Sequence, residues 1–250
     1  MSFLSRPDDR QQSLIRRVRH ELVRRDVHVV RTERLSPGLQ AVTFGGTSLT
    51  GFTSLSFDDH LKFIFRDAHG HEQRRDYTPR HFDADRNELT LVFALHDVGA
   101  ASDWAQRAQI GDAAVIGGPR GSMVIPDHLD WYLLAGDATA LPAIARRLEE
   151  LPASARTVVL LQTGYAQDQN LLPARAGLTR QWLPNAAALV GAVRSVALPE
   201  GGGFVWCAGE ASTMAQLRDV LITERGLART HVKVSAYWKP GASDFHEDLT

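Results

Sequence analysis

The chain has 250 residues, 44 % of them hydrophobic and 23 % charged, with a formal net charge of −1. That length suits two domains of ordinary size, and the near-neutral balance offers no general basic surface for nucleic acid. A single cysteine, Cys207, excludes an internal disulfide framework and a cysteine-only metal site. No apolar run is long enough to span a bilayer, and the opening "MSFLSRPDDRQQ" lacks the apolar core of a secretory signal, so the cytoplasm is the expected compartment.

In chain order, "SLIRRVRHELVRRD" places Leu14, Val18 and Leu22 at helical spacing with Ile15 alongside, which predicts a short amphipathic helix with a solvated arginine face. From Val27 to Pro126 the pattern is of strands and turns. "VHVVRTERLSPGLQAVTFGG" reads as two strands around Ser36-Pro37-Gly38, and "HLKFIFRD", "ELTLVFAL" and "DAAVIGGPRG" follow. One helix, "ASDWAQRAQIGD", interrupts them, with Ser102 as its expected N-cap and Gly111 its end. Many short strands with one interposed helix predict a small antiparallel β-barrel, taken as residues 1–128 with the N-terminal helix.

Beyond "GSMVIPDHLD" the pattern changes. "WYLLAGD" is a buried strand, and "TALPAIARRLEEL" a helix with Thr139 near its cap and Pro142 in its first turn. "RTVVLLQTG" and "GFVWCAGE" are strands, "AALVGAV" is expected to be another, the helix "ASTMAQLRDVLITERGL" stops at Gly226, and "HVKVSAYW" closes the series. Strand and helix in alternation predict an α/β domain with a parallel sheet of the nucleotide-binding type, residues 129–250. Ligands of such sheets lie beyond the carboxyl ends of the strands, here "AGD", "QTG" and "AGE". The G-x-G-x-x-G fingerprint is absent, so Gly136 either admits a phosphate to the next helix or simply makes a tight turn.

The stretch "RRDYTPR" (74–80) sits between two strand patterns and carries unusual chemistry for a turn. Arg75 and Tyr77 flank Asp76, so in an extended chain they share a face, and Thr78 follows. A guanidinium forks onto phosphate oxygens, a phenol ring lies against a flat heterocycle, and a threonine hydroxyl bonds a ring nitrogen. A solvated turn with paired arginines is the alternative that this stretch alone leaves open.

Taken together, barrel, R-x-Y-T turn, small-residue helix start and α/β domain resemble the ferredoxin-NADP reductase superfamily. Within it, "RDYTPRHFD", "ASDWAQRAQIGD", "GPRGS", "DWYLLAGDATALPAI", "WCAGE" and "AYWKPG" resemble the siderophore-interacting proteins, flavin-dependent ferric-siderophore reductases. The resemblance implies that Arg75, Tyr77 and Thr78 hold the pyrophosphate, isoalloxazine ring and N5 edge of FAD. It places His96 along the cofactor, Gly99, Ala101 and Ser102 at its phosphates, and Arg120 as a further contact. Gly136, Asp137, Thr139 and Glu210 would line the nicotinamide side, and Tyr237 and Trp238 would return against the flavin. NADH or NADPH, or a reduced ferredoxin, would supply electrons to a ferric siderophore, with no metal ligands needed from the protein and a monomer expected. Lys239 is the candidate contact for an anionic siderophore.

Three positions depart from the family pattern: Ala138 where glutamate is usual, and Ala100 and Ala236 in place of proline and glycine. The first bears on the nicotinamide site. "YAQDQN", after "QTG", offers no cation for a ribose 2′-phosphate, which favours NADH. The histidines are scattered; "HGH" (69–71) reads as a polar loop and "FHED" (245–248) as part of a mobile tail, while Cys207 reads as a core residue. A general flavin reductase or electron-transfer component, and a siderophore-binding protein without turnover, are the other readings; a basic N-terminal nucleic-acid module is more remote.

Overall fold

In this computed structural model residues 14–96, 99–242 and 245–250 are described. The first lobe contains β1 (Arg16–Arg19), β2 (Arg24–Ser36), β3 (Leu39–Gly45), β4 (Leu61–Arg66), β5 (Glu72–Tyr77), β6 (His81–Asp83), β7 (Glu88–Ala94), α1 (Ala100–Arg107), β8 (Ala113–Gly117) and β9 (Gly121–Val124). Seven of these strands form one antiparallel sheet in the order β5-β4-β8-β2-β3-β7-β6. Its two edge strands are consecutive in the chain and joined only by Thr78, Pro79 and Arg80. A flat sheet of seven strands would hold its edges about 29 Å apart at ~4.8 Å per strand, whereas four peptide steps reach about 14 Å. The sheet therefore curls into a half-barrel whose seam is the stretch 78–80.

Inside the curl, Val27, Val29, Val42, Phe44, Phe63, Phe65, Leu91 and Phe93 form the core. Trp104 of α1 plugs one end, its ring 4.8 Å from Phe63 and stacked 6.0 Å from Phe44. Tyr77 closes the seam from within, 4.3 Å from Phe93 of β7 and 5.8 Å from Phe63 of β4.

The expected N-terminal helix is not formed. Residues 16–19 are instead a strand pairing antiparallel with β9, Arg16 opposite Val124 and Arg19 opposite Gly121. Leu14 and Ile15 pack on the core between the two lobes, while Leu22, which a helical stripe would have buried, is 57 % exposed. The edge of β9 offers unpaired backbone groups, and pairing with them outweighs a weak local helical preference.

The second lobe contains β10 (Trp131–Gly136), α2 (Leu141–Glu150), β11 (Arg156–Gln162), β12 (Leu178–Leu183), α3 (Ala186–Ser195), β13 (Gly203–Glu210), α4 (Ala211–Asp219), β14 (Val232–Trp238) and β15 (Glu247–Asp248). The sheet order is β12-β11-β10-β13-β14-β15, parallel except for the last pair. The strand order reverses between β10 and β13, which makes their carboxyl ends the switch point where ligands gather.

Two further expectations are corrected. "AALVGAV" is helix α3, capped by Asn185, whose Oδ1 accepts from Ala188 N at 2.9 Å. A parallel sheet needs such a crossover, and the strand that precedes it, β12, was hidden by its polar edge residues Thr179, Arg180 and Gln181. The tail 245–248 is also ordered: β15 pairs with β14, and Asp248 accepts from Lys233 Nζ at 2.8 Å and Ser235 Oγ at 2.9 Å.

Helix α2 lies between the sheet and the half-barrel, burying Leu141, Ile144 and Leu148 with Tyr132, Leu134 and Trp206 on one side and Leu39 and Val92 on the other. Polar bonds fasten it to the seam. Arg146 Nη1 donates to Pro79 O and Ser54 Oγ, each at 2.8 Å, and Arg80 forks onto Glu149 at 2.7 and 2.5 Å.

Candidate functional site

The seam stretch sorts its arginines by partner. Arg74 is engaged by Glu72 at 2.7 Å and Arg80 by Glu149, whereas the Arg75 guanidinium has one hydrogen bond among the described residues, from Nη1 to the Arg74 carbonyl at 2.6 Å. Asp76, on the opposite face of β5, takes Lys62 at 3.1 Å. What was read as a turn is thus an edge strand, and its alternation points Arg75 and Tyr77 the same way. Burial pushes the Tyr77 phenol well above its ordinary pKa, with the Arg75 charge acting the other way.

They face a cleft of about 530 Å³ between the lobes. Eleven of the residues expected at the site line it: Arg75, Tyr77, Thr78, His96, Gly99, Ala101, Ser102, Thr139, Tyr237, Trp238 and Lys239. Sequence reasoning missed its apolar walls, Val92 and Ala94 from β7, Pro142 from α2 and Phe245 from the tail, all of which read as ordinary core or loop residues. Ala138 and Ala100, two of the departures from the family pattern, also line it.

Helix α1 opens toward the cleft. Its first intrahelical bond is Asp103 N to Gly99 O at 2.9 Å, which leaves the N–H groups of Ala100, Ala101 and Ser102 without an acceptor among the described residues. Ser102 is not the N-cap; Gly99 holds that position. The Ser102 hydroxyl lies one turn in, where it donates to His96 O and accepts from His96 N, both at 2.9 Å. It therefore fixes the end of β7 against α1. The helix ends at Arg107, short of Gly111, because Gly111 N bonds Val29 O in the half-barrel.

The remaining expected residues stand outside the lining. Asp137 is a hub behind it: Oδ1 accepts from Thr139 N at 2.9 Å and Thr139 Oγ1 at 2.5 Å, and Oδ2 from Glu210 N and Trp238 Nε1, both at 2.9 Å. It thereby sets the Trp238 ring, which lies 6.0 Å from His96. Gly136 is required by packing, since a Cβ there would collide with Ala208 O and Ala140. Glu210 caps α4 and accepts four hydrogen bonds from the backbone and hydroxyls of Ser212 and Thr213. Partial burial raises its carboxyl, but those bonds outweigh it and hold the group below its ordinary range. Arg120 is exposed in the link between β8 and β9, where its carbonyl accepts from His20 N at 2.9 Å.

This donor set fits a flavin dinucleotide. A guanidinium and three helix-start N–H groups that lack an acidic partner among the described residues suit a pyrophosphate, while a ring wall with a neighbouring hydroxyl suits a flat heterocycle with polar edges. Among the described residues no group of His, Cys, Asp and Glu is arranged to hold a metal ion, and no helix is long and apolar enough to cross a membrane. Cys207 is fully buried, its thiol pushed up to about 12 by burial, as a packed core residue.

Comparison with known proteins gives the same picture across both lobes. The profile "Siderophore-interacting FAD-binding domain" matches residues 28–74 and 70–123, and "Siderophore-interacting protein" matches 129–241. An NADPH-dependent ferric-chelate reductase of Escherichia coli is 34 % identical, over 89 % of this chain and 95 % of its own. A ferric vibriobactin reductase of Vibrio cholerae is 30 % identical, over 88 % and 91 %. The crystal structure of a siderophore utilization protein from T. fusca superposes with a TM-score of 0.86 at 34 % identity, covering 92 % of this chain and 98 % of that one. With the seam, the helix start and the α/β lobe in the family's order, the chain belongs to the siderophore-interacting protein family.

Proposed function

We propose that this protein is an FAD-dependent ferric-siderophore reductase that draws electrons from a nicotinamide nucleotide. The observation that carries the reading is one cleft in which Arg75, with no carboxylate partner among the described residues, the Tyr77 ring, the Thr78 hydroxyl and the open start of α1 meet the turn that follows β10. Relatives named as an NADPH-dependent ferric-chelate reductase and a ferric vibriobactin reductase support the reaction class. Residues 1–128 would hold the flavin and 129–250 the electron donor, a reading supported by profile matches over 28–74 and 70–123 and over 129–241.

Bound flavin would supply the ability to take an electron pair and release it one electron at a time. The chain's part is placement. Arg75 and the α1 N–H groups would neutralise and orient the dinucleotide phosphates. Tyr77, wedged on Phe93, would provide a fixed wall, and Thr78 would offer a hydroxyl to the flat ring. Trp238, held by Asp137, would stand against the flavin. The small Ala138 leaves room at the strand end where the donor would approach. Iron would stay in its chelate, so docking near the flavin edge suffices and the exposed Lys239 biases the mouth toward an anionic complex.

The test is direct. The purified protein should be yellow, release FAD on denaturation, bleach anaerobically with NADH or NADPH, and then reduce a ferric siderophore, read by a chromogenic ferrous chelator. Absence of flavin sinks the reading. Flavin that bleaches but reduces no ferric chelate assigns the protein to general flavin reductases, and flavin bleached only by reduced ferredoxin replaces the donor.

A further inference from the structure

The seam is crossed in three residues, Thr78 to Arg80, and the middle one is a proline with no N–H to give. Among the described residues two backbone hydrogen bonds hold this crossing. Arg80 N donates to Thr90 O at 3.0 Å, and Pro79 O accepts from Arg146 Nη1 at 2.8 Å. The second bond comes from the other lobe. It fastens the peptide that directly follows Thr78, while Tyr77 on the other side is fixed by its ring against Phe93.

Arg146 has the geometry for such a hold. Its side chain is 13 % exposed and makes four hydrogen bonds. Nε donates to Glu150 Oε1 at 2.7 Å, Nη1 to Pro79 O and Ser54 Oγ, and Nη2 to Ser54 O at 3.1 Å. Ser54 is anchored in turn: its hydroxyl donates to Asp59 Oδ2 at 2.8 Å, and the buried Asp59 also accepts from Ser122 Oγ at 2.7 Å. A planar guanidinium meets these acceptors in fixed directions, which a lysine ammonium cannot do. Arg146 stands one turn after Pro142 on the same face of α2, and Pro142 lines the cleft with Thr139. The helix that follows the strand end at the cleft is therefore the helix that grips the seam.

We propose that Arg146 is a positioning residue for the flavin: by holding the Pro79 carbonyl it fixes the backbone beside Thr78, and so the direction of the Thr78 hydroxyl. Arg146 lies outside the cleft lining and acts only through the seam. It ties the flavin edge to the lobe that would hold the electron donor. The inference rests on the proposed flavin site. The fork from Arg80 to Glu149 joins the same two elements, but through a side chain and not through the seam peptide, so it supplies the control.

The experiment uses the FAD-loaded protein. Flavin absorbance, the midpoint potential in anaerobic titration and FAD retention are compared for wild type, Arg146→Ala, Thr78→Val, the double variant and Glu149→Ala. Arg146→Ala should move the flavin band and potential in the same direction as Thr78→Val. It should also weaken FAD binding about two- to tenfold, the net worth of one hydrogen bond. The double variant should go no further than Thr78→Val, because residues that act as one unit are not additive. Glu149→Ala should lower the Tm and leave the flavin unchanged. A wild-type band and potential in Arg146→Ala, a shift there that Thr78→Val lacks, additive shifts in the double variant, or an equal shift in Glu149→Ala each overturn the assignment. If Arg146→Ala does not fold, Arg146→Lys, which keeps the charge without the fork, carries the same expectation and the same refutation. A last readout needs no flavin: by NMR of the protein stripped of cofactor, the Arg80 N–H should exchange about tenfold faster in Arg146→Ala as the seam opens locally. Unchanged exchange also overturns the hold. A protein that binds no flavin but shows this faster exchange would sink the proposed reaction and leave the grip of Arg146 on the seam standing.

Discussion

Arg75 differs from its neighbours in what it lacks. Arg74 and Arg80 are spent on carboxylates, while Arg75 faces the cleft with a backbone carbonyl as its one hydrogen-bond partner among the described residues. A charge-assisted bond to a phosphate is worth roughly 1.5–3 kcal/mol, and about 1.4 kcal/mol is tenfold in affinity. Arg75→Ala should therefore weaken FAD binding about ten- to a hundredfold with the fold intact, measured as flavin retained on dialysis and by titration. Unchanged retention would remove Arg75 from the site. At this scale the sequence was readable where alternation alone decides a direction, as for Arg75 and Tyr77. It misled at the start of α1, where Gly99 rather than Ser102 is the N-cap, and it did not show that the Ser102 hydroxyl and the Glu210 carboxylate are engaged by neighbouring groups. Ser, Thr and Glu near helix starts serve both local capping and ligand binding, and only the hydrogen bonds tell them apart.

Among elements, α4 depends on one side chain for its start. Glu210→Ala removes the four bonds to Ser212 and Thr213, and lost caps cost about 1 kcal/mol, range about 0.5–2. For a chain of this size that corresponds to a Tm lower by about 2–4 °C per kcal/mol, to be read by calorimetry. Because the folded carboxyl is held below its ordinary range, its stabilisation is fully present above about pH 4.3 and is lost as the pH falls through the folded pKa. The gap between wild type and Glu210→Ala should narrow on acidification. An equal gap at pH 7 and pH 3 would show that charge plays no part in the cap. Elements were legible where burial of nearly every residue demands a mostly apolar run, as in β3, β7, β10 and β13. The arginine-rich β1, the polar β5 and the edge strand β12 carry no such run, because their pairing is dictated by a neighbour's open edge rather than by their own side chains.

Across the whole molecule, the two lobes share a core around α2, and the cleft exists because the half-barrel seam and the strand ends of the α/β sheet are held face to face. Two predictions belong here. Lys239 is exposed at the cleft, and exposed charges are screened over roughly 8–10 Å at working ionic strength. Lys239→Glu should moderately reduce ferric-siderophore reduction at low salt, with the deficit shrinking as salt is added and flavin content unchanged; equal rates at low salt would make it a solvated lysine. The loop after β11 offers Tyr165 and Asp168 and no cation, so NADH should reduce the flavin at least as fast as NADPH in anaerobic stopped flow. A large NADPH preference, as in the name of the Escherichia coli relative, would place the phosphate-binding group elsewhere. The sequence by itself determined the fold class of both lobes and pointed to eleven residues that line one cleft, because hydrophobic pattern and motif order are local properties. Tertiary structure alone decided which seam arginine lacks a carboxylate partner among the described residues, that Asp137 sets Trp238, and that the C-terminal segment returns to join Asp58 and Lys233 beneath Tyr237. Those outcomes depend on partners up to 179 positions away in the chain, and no local pattern encodes a contact between segments that only folding brings together.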